Sequence, residues 1–259
     1  MRHDSNRPED LLHLAIAAAE EAGRVILESQ GQFDVLRAEG KDLKSAADLS
    51  AERIILERLE TTGLAIVSEE TRTDAAALRE ERCWIIDPLD GTLNYTRGLP
   101  IFCLSIALWQ NGRPLLGVIH DPNLNVTYSG IVGQGMTMNS LPAKVSAVTA
   151  VEQAVLCTGF PSGRSYDSAA LTQFVSSVQR FKKVRLLGSA ALCLAHLAAG
   201  HVDAYCEEDI WLWDVAAGLA LVEAAGGQVH YGPWSHELKS RVYATNGAND
   251  ITQIFMNQA

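Results

Sequence analysis

Residues 84–95 of this chain read WIIDPLDGTLNY, and they guide the interpretation of the whole sequence. The apolar run predicts a buried strand that ends at Asp87. A second acid, Asp90, follows after a Pro-Leu pair, and a Gly-Thr turn comes directly behind it. Carboxylates at the end of a strand can hold hard cations, and the backbone N–H groups of such a turn can bind an anion. The segment therefore predicts cations beside an anion site, which suits phosphate chemistry.

The composition limits the classes of partner. The chain has 259 residues, 47% of them hydrophobic, which is enough to bury one large core or two tightly joined subdomains. Its formal net charge is −10, with 31 acids against 21 Lys and Arg. Phosphate backbones need clustered cations, so this balance argues against nucleic acid and anionic membranes as partners. It fits a protein whose acids surround bound metal.

The cysteine pattern indicates a reducing compartment. The five cysteines show no C-x-x-C spacing, which is typical of reduced thiols in the core. The first residues lack the apolar stretch of a signal peptide. The apolar segment 211–225 is interrupted by Asp214 and Glu223 and is too short to span a bilayer. We expect a cytoplasmic protein without membrane association.

The pattern of apolar residues predicts two halves of different character. Helices are expected over 11–29 and 48–59, followed by a short buried strand over 64–67 and by strands between 101 and 131. The second half alternates, with strands near 155–157, 183–187, 204–206 and 242–245 and helices near 169–181, 189–199 and 213–225.

Alternating elements of this kind predict layered α/β packing, with α+β character in the first half. The sequence contains no repeat and no flexible linker. We therefore expect a single catalytic unit over 1–259, made of an N-terminal α+β half (about 1–145) and a C-terminal α/β half (about 146–259) that share an interface.

Acids recur where apolar elements begin or end: Glu69, Asp87, Asp90 and Asp214, with Asp48 as a possible fifth. Taken alone, Asp48 is most simply a helix N-cap, Glu69 belongs to a solvated loop and Asp214 caps a helix. Asp87 and Asp90 are harder to explain this way, because two carboxylates this close repel each other unless a cation lies between them.

The candidate ligands are oxygens, which favours Mg²⁺ over zinc. No His or Cys falls at zinc spacing. The sequence also lacks a G-x-S-x-G elbow, a Walker A loop and a G-x-G-x-x-G motif after a strand. These absences argue against serine hydrolase, P-loop and dinucleotide-binding chemistry.

Several stretches together resemble one known family. Residues 87–95 and 213–218 resemble the two signatures of the inositol monophosphatase family, and residues 45–48, 68–71, 188–191 and 203–207 resemble further family elements in the expected order. The resemblance implies a layered αβαβα sandwich of the type shared with fructose-1,6-bisphosphatases. It also implies Mg²⁺-dependent hydrolysis of a phosphate monoester by in-line attack of water, and a homodimer.

The resemblance implies roles for individual residues. Glu69, Asp87 and the Leu89 carbonyl would bind the first metal ion. Asp87, Asp90 and Asp214 would bind the second. Asp48 would support a third ion that is held more weakly. Glu69 and the Thr92 hydroxyl would orient and deprotonate the attacking water. Backbone N–H groups of Gly91 and Thr92 would hold the phosphate. We expect two or three Mg²⁺ ions.

Substrate contacts follow from the same resemblance. The hydroxyls of a polyol would meet Asp90, Gly188, Ser189, Ala190, Glu207 and Asp214. Without the resemblance, Glu207 is more simply an exposed member of the acidic run 207–209. Trp211 and Trp213 would flank the path to Glu207 with apolar surface.

Three departures from the family pattern concern contacts near these residues. Leu93 stands where a second Thr is common, and Ala47 replaces a hydroxyl beside Asp48. The Thr92 hydroxyl that the chemistry needs is present, so we expect turnover to survive. Ala47, together with Lys44 in place of an apolar residue, makes the third ion the part of the site that the resemblance supports least.

The first expected substrate is a small phosphorylated polyol, myo-inositol monophosphate above all. Histidinol phosphate, fructose 1,6-bisphosphate and a 3′-phosphoadenosine nucleotide are alternatives. A bisphosphate or nucleotide needs a second cationic pocket, for which four basic residues are available: Arg164, Lys182, Lys183 and Arg185. A regulatory or scaffold role on the same fold is a further alternative.

Overall fold

The computed structural model describes residues 6–29, 35–39, 42–71, 75–160 and 167–256. The helices within these ranges are α1 (Pro8–Glu28), α2 (Ala46–Leu59), α3 (Thr92–Thr96), α4 (Ser168–Val178), α5 (Ala190–Ala198), α6 (Leu212–Ala224) and α7 (Asn249–Met256). The strands are β1 (Val35–Glu39), β2 (Asp42–Ser45), β3 (Ala65–Ser68), β4 (Arg82–Asp90), β5 (Cys103–Gln110), β6 (Arg113–Asp121), β7 (Val126–Ile131), β8 (Gly135–Met138), β9 (Leu141–Ala143), β10 (Val155–Thr158), β11 (Lys183–Arg185), β12 (Ala204–Trp211), β13 (Gln228–Tyr231) and β14 (Lys239–Thr245).

Two large sheets organise the described residues, beside a small β1–β2 hairpin. The first sheet has the order β3-β4-β5-β6-β7-β8-β9, with β3 parallel to β4 and the other pairs antiparallel. The second has the order β11-β10-β12-β14-β13, in which β10 runs parallel to β11 and β12. β14 is antiparallel to both of its neighbours.

Helices cover both sheets in alternating layers. α1 and α2 pack on one face of the first sheet, and α5 and α6 lie between the two sheets. The outer face of the second sheet packs against α7 and the end of α4, around Leu156, Tyr243 and Ile251. The predicted αβαβα sandwich is confirmed.

The position of α6, between the two sheets, depends on two glycines that leave room for close packing. A Cβ atom on Gly117 of β6 would overlap the Ala217 carbonyl, and one on Gly218 would overlap Leu194 of α5. Both contacts are possible only for glycine, so α6 lies unusually close to the first sheet and to its neighbouring helix. This closeness fixes the first turn of α6, which carries Asp214.

Several predicted boundaries were wrong. The strand expected to end at Asp87 continues to Asp90, and the strand expected over 204–206 continues to Trp211. The first helix begins at Pro8, and the second at Ala46. The prediction missed β1, β2, β8, β9, β13 and α7. Both strand errors come from bulges, where a proline or a charged run hides the continuing strand.

All five cysteines are free thiols, and four of them are buried, as the reduced-core interpretation requires. Among the described residues, no helix combines the length and the apolar composition needed to cross a bilayer.

Candidate active site

A β-bulge in β4 brings two acids to one place. Asp87 lies opposite Ser105 of β5, whereas Asp90 lies opposite Cys103, so three steps along β4 match two along β5. Residues three apart in a regular strand point to opposite faces, and the extra residue of a bulge changes this alternation. Pro88 fits here because it has no N–H group to donate. The Leu89 N–H donates to Asp87 Oδ1 at 2.9 Å, which closes the bulge.

Asp90 is held by the start of α5. Its Oδ2 atom accepts hydrogen bonds from Ser189 Oγ at 2.5 Å and from the Ala191 N–H at 2.8 Å. Ser189 is also the N-cap of α5 and accepts from the Leu192 N–H at 3.2 Å. Burial raises the pKa of Asp90 to about 6, and these hydrogen bonds oppose the shift. The predicted contact residue Ser189 therefore orients Asp90.

Glu69 reaches the same place from β3. Ser68, the last residue of β3, pairs with Ile86, and the Glu69 N–H donates to the Ile86 carbonyl at 3.2 Å. Its side chain hydrogen-bonds to Asp87. Burial raises the pKa of Glu69 to about 8, with further contributions from Glu70 and Asp48. Two parallel strands thus deliver the carboxylates of Glu69 and Asp87 side by side.

Asp214 completes the group from the first turn of α6. Burial raises the pKa of Asp214 well above its ordinary value, and the negative charges of Glu69, Asp90 and Glu207 raise it further. The pKa of Asp87 is raised by burial and by its carboxylate neighbours in the same way. The structure therefore brings together the four acids expected from the sequence.

Asp48 contacts the Gly-Thr turn from α2. The expected N-cap role was wrong: Ser45 is the N-cap, and Asp48 is its reciprocal partner in a capping box. Asp48 Oδ2 accepts from the Ser45 N–H at 2.8 Å, and Asp48 Oδ1 accepts from Thr92 Oγ1 at 2.9 Å. The Leu89 carbonyl lies 3.0 Å from the same hydroxyl. Asp48 thus serves the helix end and Thr92 together.

Gly91 turns the chain from β4 into α3. Its φ of +92° favours glycine, and an added Cβ would lie 2.8 Å from the Ile101 carbonyl. The first N–H bonded within α3 is that of Tyr95, which donates to the Gly91 carbonyl. The preceding N–H groups, including those of Gly91 and Thr92, have no intrahelical acceptor and are available to an anion.

A cavity of about 260 Å³ opens beside these acids. It is lined by Asp90, Thr158, Gly159, Phe160, Gly188, Ser189, Ala190, Cys193, Glu207, Ile210 and Asp214. All six predicted substrate contacts are in this lining. Its apolar wall includes Phe160, Cys193 and Ile210; Trp211 and Trp213, expected to flank the path, stack on each other with ring centroids 4.8 Å apart.

Glu207 points into the cavity, unlike its neighbours in the acidic run. It accepts a hydrogen bond from the Tyr205 hydroxyl at 3.0 Å, and burial raises its pKa to about 7. Gly159 leaves the space for it, since a Cβ there would overlap the Glu207 carboxylate. Glu208 and Asp209 instead lie near Arg241 and Lys239, at 3.7 and 3.8 Å. The simple interpretation of Glu207 as an exposed acid was wrong.

Three of the four basic residues considered for a second phosphate do not line this cavity. Lys182, Lys183 and Arg185 are exposed on the surface. Arg164 lies outside the described residues.

The residues around the site that were not predicted from the sequence include Glu52, Gly159 and Tyr205. Glu52 is one helical turn after Asp48, which was the available signal for it. Gly159 and Tyr205 act by shape and by one hydrogen bond, and neither leaves a recognisable spacing in the sequence.

The acids fit a hard divalent cation by their chemistry. Within the described ranges, no three His, Cys, Asp or Glu side chains are already arranged as a ready ligand set. However, carboxylates raise one another's pKa at Glu69, Asp87 and Asp214, and a cation between them would remove this repulsion. Carboxylate and carbonyl oxygens are the donors that Mg²⁺ prefers.

Comparison with known proteins places the chain. The sequence profile of the inositol monophosphatase family matches residues 7–250. The Nus factor SuhB of Xylella fastidiosa is 38% identical over 84% of this chain and 80% of its own length. The inositol-1-monophosphatase of Mesorhizobium japonicum is 36% identical over 85% of this chain and 84% of its own. The structure of the Anabaena inositol monophosphatase superimposes with a TM-score of 0.80 at 35% identity and covers 96% of both chains. The chain belongs to the inositol monophosphatase family.

Proposed function

We propose that this protein is a Mg²⁺-dependent phosphatase that hydrolyses a small polyol phosphate monoester, with myo-inositol monophosphate as the first candidate. One observation carries the proposal. Two buried carboxylates (Asp87 and Asp90) and two half-buried ones (Glu69 and Asp214) repel one another without a cation, and they lie beside a turn whose backbone N–H groups are available to an anion. Membership of the family supports phosphatase chemistry.

The ligands proposed for the metals follow the arrangement of the acids. Glu69, Asp87 and the Leu89 carbonyl would hold one Mg²⁺, and Asp87, Asp90 and Asp214 a second. Asp48 would contribute to a third. At these ligands, Mg²⁺ would supply positive charge that acidifies a nearby water and offsets charge on the phosphate and the leaving oxygen.

Two side chains would act on the attacking water: one would accept its proton and the other would position it. Glu69, whose pKa is raised to about 8, is suited to accept a proton from water near neutral pH. The Thr92 hydroxyl directs its own hydrogen towards Asp48 or Leu89, so its lone pairs remain to accept a hydrogen bond from that water. N–H groups of Gly91 and Thr92 would hold the phosphate oxygens in line with the attack.

The cavity supports a small substrate. At about 260 Å³ it is below the usual range for larger ligands, and its lining contains no Lys or Arg among the described residues. No described Lys or Arg lies there to hold a second phosphate group, which favours a monoester over fructose 1,6-bisphosphate or a nucleotide. Glu207 can accept hydrogen bonds from two neighbouring hydroxyls of a polyol.

Phosphate release from a panel of esters tests this proposal. With Mg²⁺, we expect myo-inositol monophosphate to be turned over with a higher kcat/KM than histidinol phosphate, fructose 1,6-bisphosphate or a 3′-phosphoadenosine nucleotide. Chelation of the metal should abolish release from every ester. Preference for a bisphosphate or nucleotide would contradict the proposed substrate. Phosphate release that continues after chelation would contradict the proposed metal-dependent reaction.

A regulatory or scaffold role is the second candidate function. It is favoured by relatives of similar identity that are named Nus factor SuhB. The presence of all the proposed metal ligands favours catalysis. Absence of phosphate release from the whole panel, by folded protein that binds Mg²⁺, would favour the regulatory role.

The proposed unit spans both halves of the chain. Asp87 and Asp90 come from the first half, whereas Glu207 and Asp214 come from the second and line or approach the same site. The five free thiols support a reducing compartment, and we propose the cytoplasm as the location.

We propose that the protein forms a homodimer through an apolar patch beside the site. Leu93, Leu99 and Leu186 are between 50% and 57% exposed. Asn94 links their segments, since its Nδ2 donates to the Leu187 carbonyl and its own carbonyl accepts from Leu99. Leu99→Glu should yield monomers in sedimentation, whereas the control Leu124→Glu, at a 67% exposed position on another turn, should not. A monomeric wild-type protein would contradict the dimer.

A further inference from the structure

Glu52 is a buried acid of α2 that the proposed chemistry does not use. Its side chain is only 3% exposed, although glutamate is rarely buried without partners. Its Oε1 atom accepts two hydrogen bonds, from Ser68 Oγ at 2.6 Å and from Thr71 Oγ1 at 2.8 Å. One oxygen atom thus joins two hydroxyls that are three residues apart.

The two hydroxyls stand on either side of Glu69. Ser68 ends β3 and is fully buried, whereas Thr71 lies on the exposed side of the loop. Glu52 therefore fixes the loop both before and after the residue proposed to deprotonate water. The backbone bond from Glu69 to Ile86 holds the main chain at Glu69 itself. The two hydroxyl contacts add the restraint that sets where the Glu69 side chain emerges.

Glu52 also acts in parallel with Asp48. The two acids are four residues apart, so they lie on the same face of α2, about 6 Å apart along its axis. Asp48 contacts the Thr92 hydroxyl, and Glu52 contacts the loop of Glu69. One turn of α2 thereby holds the Thr92 hydroxyl and the loop of Glu69 at a fixed distance from each other.

We propose that Glu52 is a positioning residue that sets the Glu69 carboxylate against Asp87 and Thr92. This inference rests on the proposed function. It predicts that the hydrogen-bond acceptor of Glu52, and not its charge, is needed to keep the Mg²⁺ site in order.

Two substitutions at Glu52 separate these contributions. Glu52→Gln keeps an oxygen that accepts from both hydroxyls, whereas Glu52→Leu has a similar size and no acceptor. Thr71→Val removes one of the two bonds at an exposed position, where folding is least affected. Glu57→Leu is the matched control, because Glu57 lies on the same helix with its side chain 65% exposed.

The measurements are Mg²⁺ affinity by calorimetry, the melting temperature, and kcat and KM for phosphate release. We expect Glu52→Gln and Glu57→Leu to match the wild type. Glu52→Leu should weaken Mg²⁺ binding about tenfold and lower kcat on the order of 10²-fold, because a displacement near 1 Å can cost that much. The substrate KM should change less than kcat. Thr71→Val should show a smaller loss of the same kind.

Unchanged Mg²⁺ affinity and kcat in both folded Glu52→Leu and Thr71→Val would overturn the proposal, even if the melting temperature fell. If Glu52→Leu does not fold, Thr71→Val decides alone. A loss in Glu52→Gln equal to that in Glu52→Leu would also overturn it. If the wild type binds Mg²⁺ but releases no phosphate, the proposed function fails, and the calorimetric series still tests Glu52.

Discussion

The two carboxylate-bearing strands, β4 and β12, use the same backbone device in different surroundings. Each contains a bulge in which three steps oppose two on the neighbouring strand, between Asp87 and Asp90 in β4 and between Glu207 and Ile210 in β12. The bulge of β4 is buried throughout. The bulge of β12 reaches the surface at Asp209, whose φ is +57°.

The difference lies in what the extra residues do. In β4 both flanking acids belong to the proposed metal site, and Leu89 within the bulge closes it. In β12, Glu207 is the acid that faces the cavity, beside the apolar Ile210, while the tip of the bulge lies among surface ion pairs. Changes in β4 should therefore stop the reaction, whereas changes in β12 should alter only which substrate is bound.

The largest expected effect is at the buried bulge. Asp90→Asn keeps the oxygen that accepts from Ser189 and removes the charge, so the fold should persist. Loss of several kcal/mol of charge stabilisation corresponds to a kcat/KM about 10³-fold lower. Phosphate release measures this, with Asp250→Asn on the surface as control. Turnover equal to wild type would show that Asp90 is not a metal ligand.

At the second bulge, Glu207→Leu should affect recognition more than turnover. Hydrogen bonds to a charged group contribute about 1.5–3 kcal/mol, so KM for a polyol phosphate should rise about 10- to 100-fold. KM for an aryl phosphate without hydroxyls should change little, and Glu208→Gln should behave as wild type. An equal effect on both esters would show that Glu207 does not read hydroxyls.

Tyr205→Phe tests the same role of Glu207 in substrate binding with a smaller change. The variant removes the hydroxyl that holds Glu207 and leaves the carboxylate in place. The lost bond positions Glu207 and does not touch the substrate, so only part of its contribution, about 1 kcal/mol, should reach binding, and KM for the polyol ester should rise about fivefold with kcat unchanged. A fall in kcat as large as the rise in KM would mean that Tyr205 supports the reaction itself.

The smallest effect expected is on the stability of the metal-free protein. The pKa of Glu69 is raised to about 8 and that of Asp90 to about 6, so between about pH 4.5 and 8 the folded chain binds more protons than the unfolded chain. The free energy of unfolding should therefore fall as pH rises through this window. With about 2–4 °C per kcal/mol, the melting temperature in chelator should drop by a few degrees from pH 6 to pH 8.

Mg²⁺ should flatten this dependence, because it neutralises the carboxylates at every pH in the window. Glu69→Gln should reduce the slope in chelator, which separates the contribution of Glu69 from that of other titrating groups. A melting temperature that rises from pH 6 to pH 8 without metal, in wild type and variant alike, would contradict the repulsion inferred at the site.

The amino-acid sequence predicts the acids proposed to bind metal better than it predicts the residues around Glu207 that are proposed to bind substrate hydroxyls. Asp87 and Asp90 lie close together in the chain, next to a turn that only Gly91 allows, so their neighbourhood is visible locally. The layered fold follows from the alternating elements of the second half. The bulge escapes prediction because Pro88 looks like the end of a strand, although the strand continues past it.

The arrangement around Glu207 depends on contacts between distant residues. Glu207 resembles any solvated acid until β12 is paired with β14 and the Tyr205 hydroxyl and the bare backbone of Gly159 are placed beside it. The same is true of Glu52, whose partners are 16 and 19 residues away. No short motif records such contacts, since they arise only from packing.

Three helices begin at the site, and their ends have an electrostatic consequence. α3 starts at Thr92, α5 at Ala190 and α6 at Leu212. The amino end of a helix carries a partial positive charge of about half a unit, which decays within the first turn. The acids therefore lie near the positive ends of three helix dipoles. These partial charges belong to the backbone, so they depend neither on pH nor on bound ions. Part of the acids' charge is offset by the backbone itself, and the same dipoles remain in place to attract a phosphate.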